Sequence, residues 1–159
     1  MNQSGDVTAP LPRLGKLGLE NYAPYLMNRI MGRYNAALRE EMAALGLTTS
    51  QMRALAVLSV VNGILIGELA VYAVVPQSTL SRALDALVRD GLIRRETDGT
   101  DSRAVRVFVT DTGREANDKL WPHMAQAFEA MFHGISDEEK RGFTHTLQKM
   151  LRNIRKHDF

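Results

Sequence analysis

Gln77, Ser78, Thr79, Ser81 and Arg82 set five hydrogen-bonding side chains into the six positions that follow Pro76. A glutamine carboxamide can pair through two bonds with an adenine edge and an arginine guanidinium with a guanine edge, while hydroxyls suit phosphate oxygens. On an arbitrary helix the same residues cap an end or face water, so their meaning rests on what comes next. Next come Arg89, Arg94, Arg95, Arg103 and Arg106, interleaved with Asp85, Asp90, Glu96, Asp98 and Asp101. Carboxylates set among guanidinium groups suit ion pairing better than acid–base work.

No other chemistry has visible machinery. His123 and His133 share one helical stretch but stand ten residues apart, too far for a helical pair of metal ligands, and His145 and His157 lie further on. The chain contains no Gly-x-Ser-x-Gly elbow, phosphate-binding glycine loop or His-Glu-x-x-His pair. It has no cysteine, which excludes thiol redox sensing, iron–sulfur clusters and thiolate zinc sites and agrees with a reducing compartment. No metal, cofactor or enzymatic activity is expected.

Side chains that read a partner must be held by rigid elements, and the residue pattern supplies them. From Tyr22 to Leu45, the apolar residues Leu26, Ile30, Tyr34, Leu38 and Met42 recur every fourth position, predicting one amphipathic helix that Gly46 ends. Thr48 with Gln51 forms a capping box for a helix over Met52–Val61, closed by Asn62 and Gly63. Ile66–Ala73 reads as a third helix. Pro76 opens a fourth over Gln77–Asp90, with Leu80, Leu84, Leu87 and Val88 turned inward and Gly91 stopping it. The period then changes. Leu92–Glu96 and Val105–Val109 are β-prone, and Thr97–Ala104 forms the loop of a hairpin. Thr110 caps a long helix that Pro122 should kink near Lys119, and Ser136 with Glu139 opens a last helix with a Phe143, Leu147, Leu151, Ile154 seam.

Three short helices followed at once by a hairpin is the plan of a winged helix-turn-helix, in which the third helix enters the major groove and the hairpin reaches an adjacent one. From about Leu47 to Ala116 the chain resembles the MarR-type transcriptional regulators. The resemblance rests on Leu69 and Ala70 before the turn, on Ser78-Thr79-Leu80-Ser81-Arg82, and on Gly91-Leu92-Ile93. It rests also on a wing with Asp98, Asp101 and Arg103, followed by Val109, Thr110 and Gly113. It implies that Arg103 enters the minor groove from the wing tip, that Asp101 orients the wing by pairing with a nearby arginine, and that Arg95 and Arg106 flank the wing as phosphate contacts. A narrow minor groove does concentrate negative potential and favour an inserted guanidinium. The chain departs from the family pattern at Val74, where the turn commonly has glycine, and at Glu96 and Ser102, wing positions that are often basic. Weaker or more salt-sensitive DNA binding follows. Val71 and Tyr72 are apolar where polar residues are usual, and inward packing is expected of them.

The expected fold is therefore mainly α with a small β-hairpin (α+β). Residues 1–15 are a mobile segment, 47–110 the DNA-binding unit, and 16–46 with 111–159 a helical dimerisation region. Long amphipathic helices at both ends ask for a partner, and the resemblance implies a homodimer on a near-palindromic stretch of double-stranded DNA. It also implies a repressor released by a small aromatic or phenolic effector, for which Asn28, Arg29, Met31 and Arg53 are the candidate residues. The alternative is a winged-helix protein-interaction module without DNA binding. The chain of 159 residues is 45% hydrophobic and 24% charged, enough for one core, and its net charge of +2 is only a weak pointer to nucleic acid. With neither a membrane-length apolar run nor a signal peptide, it is expected to be cytoplasmic.

Overall fold

Three helices begin where a hydroxyl satisfies a free backbone N–H group. In the computed structural model, which describes residues 10–157, Thr48 Oγ1 accepts from Gln51 N, Thr110 Oγ1 from Gly113 N and Ser136 Oγ from Glu139 N. Gln51 and Glu139 return the bond to the backbone N–H of Thr48 and Ser136, completing both expected capping boxes. The elements in chain order are α1 (Leu14–Leu17), a 3-10 turn (Leu19–Asn21), α2 (Ala23–Ala37), α3 (Arg39–Ala44), α4 (Thr49–Val60), β1 (Ile64–Leu65) and α5 (Ile66–Ala73). Then follow α6 (Gln77–Arg89), β2 (Ile93–Thr97), β3 (Val105–Val109), α7 (Asp111–Met131) and α8 (Asp137–Ile154).

The single helix expected from Tyr22 to Leu45 is two. It breaks at Leu38 (φ −95°, ψ −1°), which is wholly buried. A strict four-residue repeat drifts about 40° round an α-helix at each step, so five successive apolar positions cannot keep one face on a straight rod. The break lets Leu38 and Met42 turn into the interior, whereas Leu26 and Ile30 upstream stay exposed. Of the segment expected to be mobile, residues 1–9 lie outside the described residues, and Leu14–Leu17 makes a helical turn.

Two apolar clusters result. Leu55, Leu58, Leu69, Leu80, Leu84, Leu87, Ile93 and Val107 fill the space between α4, α5, α6 and the sheet. Leu38, Met42, Met52 and Leu120 join α3, α4 and α7, with Tyr34 and Met124 packed against them. Val88, expected inside, is exposed, because Leu80, Leu84 and Leu87 already hold the buried stripe and the next residue turns about 100° away. The hairpin register pairs Ile93 with Val109 and Thr97 with Val105. Its other edge carries β1, a strand that the residue pattern did not show, because two residues cannot display alternation. Ile64 pairs there with Val107 and Leu65 with Arg106, giving an antiparallel sheet in the order β1-β3-β2.

After the sheet the chain turns sharply into α7. A Cβ on Gly113 would meet the Leu92 carbonyl oxygen at 2.0 Å, so only glycine lets the first turn of α7 lie against the strand entry. α7 runs unbroken through Pro122 to Met131. α8 buries none of its residues within the chain. Among the described residues no helix is long and apolar enough to cross a membrane.

Candidate nucleic-acid interface

Four apolar residues fix α6 to the core. Leu80, Ala83, Leu84 and Leu87 are buried, leaving Gln77, Ser78, Thr79, Ser81 and Arg82 on the exposed face. Pro76 precedes the helix without a side-chain cap, so the backbone N–H groups of its first turn remain available to an anion. Arg82 pairs with no carboxylate among the described residues.

The angle of α6 is set from both ends. Val74, in the turn from α5, adopts φ 52° and ψ 50°, a left-handed backbone in which a β-branched side chain is strained. Its carbonyl accepts a bond from Arg53 Nη1 at 3.3 Å, which ties the turn to α4. On the other side, Arg95 of β2 donates to Asp85 Oδ1 at 2.8 Å and to the Ser81 carbonyl at 3.5 Å. Val71 and Tyr72 do not pack inward as expected: they are 39% and 40% exposed. Leu69, Ala70 and Ala73 already supply the inward side of an eight-residue helix, which turns their neighbours outward.

The wing is organised by Asp98, the one strongly buried carboxylate of the hairpin. Its Oδ1 accepts from Thr100 N, Thr100 Oγ1 and Asp101 N at 2.9, 2.6 and 3.0 Å, and its Oδ2 from Arg106 Nε at 2.5 Å. Those donors, the threonine first, hold its carboxyl far below the usual aspartate range. Arg106 also donates to the Gly63 carbonyl at 2.8 Å, pinning the hairpin to the loop before β1. At the tip, Arg103 is 93% exposed at its side chain, and Asp101 Oδ1 accepts from its backbone N–H at 2.9 Å and lies 3.6 Å from its Nε. Arg94 stacks on Phe108, 4.4 Å from the ring centre, and pairs with Glu96.

Gln77, Ser81 and Arg103 meet in one open groove of about 870 Å³ between α5, the start of α6 and the wing. Helix and finger thus present side chains to a common space. Arg95 and Arg106, expected as flanking phosphate contacts, direct guanidinium nitrogens to other parts of the protein. The structural weight of Asp98 was legible in the sequence only as part of an aspartate-rich loop, since neither its burial nor its four donors follow from spacing.

The four residues expected at an effector crevice are not gathered at one point. Asn28, Arg29 and Met31 sit exposed on α2, where Arg29 donates to the Tyr25 hydroxyl at 2.8 Å, while Arg53 serves the turn at Val74. A cavity of about 440 Å³ lies instead between α3 and α7, lined by Glu40, Glu41, Ala44, Leu45, Lys119 and His123. Glu41 Oε1 lies 3.3 Å from His123 Nδ1, and its buried Oε2 has no hydrogen-bond partner among the described residues.

Residues 45–104 match the family model described as MarR family. A crystal structure of a MarR-family transcriptional regulator from Silicibacter pomeroyi is 58% identical in sequence. The match covers 93% of this chain and 100% of that one, with a TM-score of 0.88. The transcriptional activatory protein BadR of Rhodopseudomonas palustris is 33% identical over 67% of this chain, an alignment that spans only 62% of BadR. The HTH-type transcriptional repressor IacR of Pseudomonas putida is 21% identical over 85% of this chain and 81% of its own.

Proposed function

The chain belongs to the MarR family of transcriptional regulators, and from that membership we propose that it binds a near-palindromic DNA operator as a homodimer and represses from it. The observation that carries this reading is the shared groove, in which the α6 residues Gln77 and Ser81 and the wing-tip Arg103 all face out. α6 enters the major groove and reads bases through Gln77 and Arg82, while Ser78, Thr79, Ser81 and the free N–H groups beside them hold phosphates. Arg103 enters the neighbouring minor groove. Arg95 and Arg106 hold the reading parts in place, and Asp101 steadies Arg103. The acidic residues that would favour a protein-binding wing are engaged internally, Asp98 with Arg106 and Glu96 with Arg94.

Residues 47–110 form the DNA-binding unit; 16–46 and 111–159 form the dimerisation region. Apolar residues of α2 and α8 remain exposed to meet a second copy. A small aromatic or phenolic effector then releases the DNA by favouring another spacing of the two units. The cavity between α3 and α7 fits that role better than Asn28, Arg29, Met31 and Arg53. Glu41 Oε2 lacks a donor that a phenol can supply, and Lys119 faces the same space. The protein acts in the cytoplasm.

Selection from a random duplex pool tests the reading. The enriched sequence should be a near-palindrome with half-sites roughly 34 Å apart, bound at least about a thousandfold more tightly than random DNA. A pool that yields no common sequence refutes it.

A further inference from the structure

α8 ends at Ile154, where the Arg155 N–H closes the last turn on the Leu151 carbonyl and the backbone of Arg155 becomes extended (φ −66°, ψ 146°). The extension carries the chain to the reading surface, for His157 lines the same groove as Gln77, Ser81 and Arg103. Arg155 and Lys156, just before it, are exposed and pair with no carboxylate among the described residues. Glu68 is the carboxylate lining this groove, and its Oε2 already accepts from Leu65 N at 2.9 Å, so the groove does not itself call for a cationic guest. Nor does the segment fill it. About 870 Å³ is several times the volume of one imidazole, and the lining otherwise comes from β1, α5, the turn after it, α6 and the wing.

A duplex read by a helix in the major groove and a finger in the next minor groove must lay a sugar–phosphate strand across the space between them. That strand belongs to a duplex with one negative charge for about every 1.7 Å of its axis, so two cations at the margin stand where phosphates pass. We propose that Arg155 and Lys156, on the segment that follows α8, form a third DNA-contacting element, holding the phosphate strand that crosses between α6 and the wing. The proposal rests on the DNA-binding reading above. It assigns the segment a sequence-independent share of affinity, because guanidinium and ammonium groups on phosphates carry no base information.

The test uses the full chain, the Arg155→Ala/Lys156→Ala double variant and a chain ending at Ile154, each titrated with the selected operator and with random duplex from 50 to 200 mM salt. Both altered chains should bind both duplexes more weakly, by about a hundredfold or more at 50 mM salt and by less at 200 mM, and the log–log salt slope should fall by roughly 3.6 for a dimer that loses two cations in each copy, at about 0.9 for each phosphate no longer neutralised. The charge-keeping Arg155→Lys/Lys156→Arg variant should retain the full slope. Sedimentation must show the same oligomer for the double variant as for the parent; where the shortened chain differs, the double variant decides. An unchanged slope overturns the proposal, as does tighter binding on removal, which would make the segment a plug. A parent chain that binds no duplex brings down the regulator reading and this inference together, whereas normal parent binding with unaltered variants removes this inference alone.

Discussion

Val74 holds a β-branched side chain in left-handed backbone at the turn between α5 and α6, where it gains nothing from burial because it is 78% exposed. Glycine has no such penalty, and the bond from Arg53 reaches the backbone carbonyl, which the substitution keeps. Val74→Gly should therefore stabilise the protein by about 1 kcal/mol, a rise in melting temperature of about 3 °C for a chain of this size. Thermal unfolding reads it directly, and a lower melting temperature would contradict the strain argument. The reading face makes a second residue-scale prediction. Arg82 stands on the exposed side of α6 and pairs with no carboxylate among the described residues, so Arg82→Ala should relax preference at one base pair per half-site by about 1–3 kcal/mol and leave random DNA nearly unaffected. Equal losses on every sequence would mark Arg82 as a phosphate contact. Gln77, Ser78, Thr79, Ser81 and Arg82 were legible as an exposed helix face because a helix start after proline fixes which positions face out. The partners that Arg95 and Arg106 take within the protein were not, since an arginine's partner depends on which strand folds beside it.

The wing is an element held by one carboxylate. Asp98 accepts four hydrogen bonds, and its carboxyl stays ionised well below the ordinary aspartate value of about 4. In acid the unfolded chain takes up a proton at this residue that the folded wing refuses. The stabilisation is thus complete above about pH 5 and declines progressively as pH falls through the acid range. Urea unfolding from pH 7 to pH 3 should show Asp98→Asn less stable than the parent at pH 7, with a shallower acid loss; parallel curves would mean that the carboxylate does not hold the wing. Because Arg106 joins Asp98 to the Gly63 carbonyl, loosening this pair should also loosen the β1 edge. The two hairpin strands were visible as short β-prone runs, but β1 needs β3 beside it to be a strand at all.

At the scale of the whole molecule, α8 displays much of its seam, uncovered among the described residues. Phe143, Leu151 and Ile154 are 44%, 62% and 76% exposed. A second copy gives those residues a place to go, so melting temperature should rise with protein concentration, as for any fold stabilised by association. Leu151→Asp should yield monomers by sedimentation, remove that concentration dependence and weaken operator binding, since half-sites joined through one dimer reinforce each other. A Leu151→Asp protein that remains dimeric would exclude the α8 seam from the interface.

Periodicity, caps and turn residues determined by themselves most of what this chain is. The helix starts at Thr48, Thr110 and Ser136, the inward Leu80, Leu84 and Leu87 of α6 and the presence of the two hairpin strands follow from local hydrogen bonding and from which positions share a face. The tertiary structure alone decided what those elements do to one another. It broke the first long helix at Leu38, drew β1 onto the sheet, made Asp98 the keystone of the wing and tied Arg95 and Arg106 to neighbouring elements. Each of these depends on residues distant in sequence, and a burial or a hydrogen bond between distant residues has no period for a sequence to display.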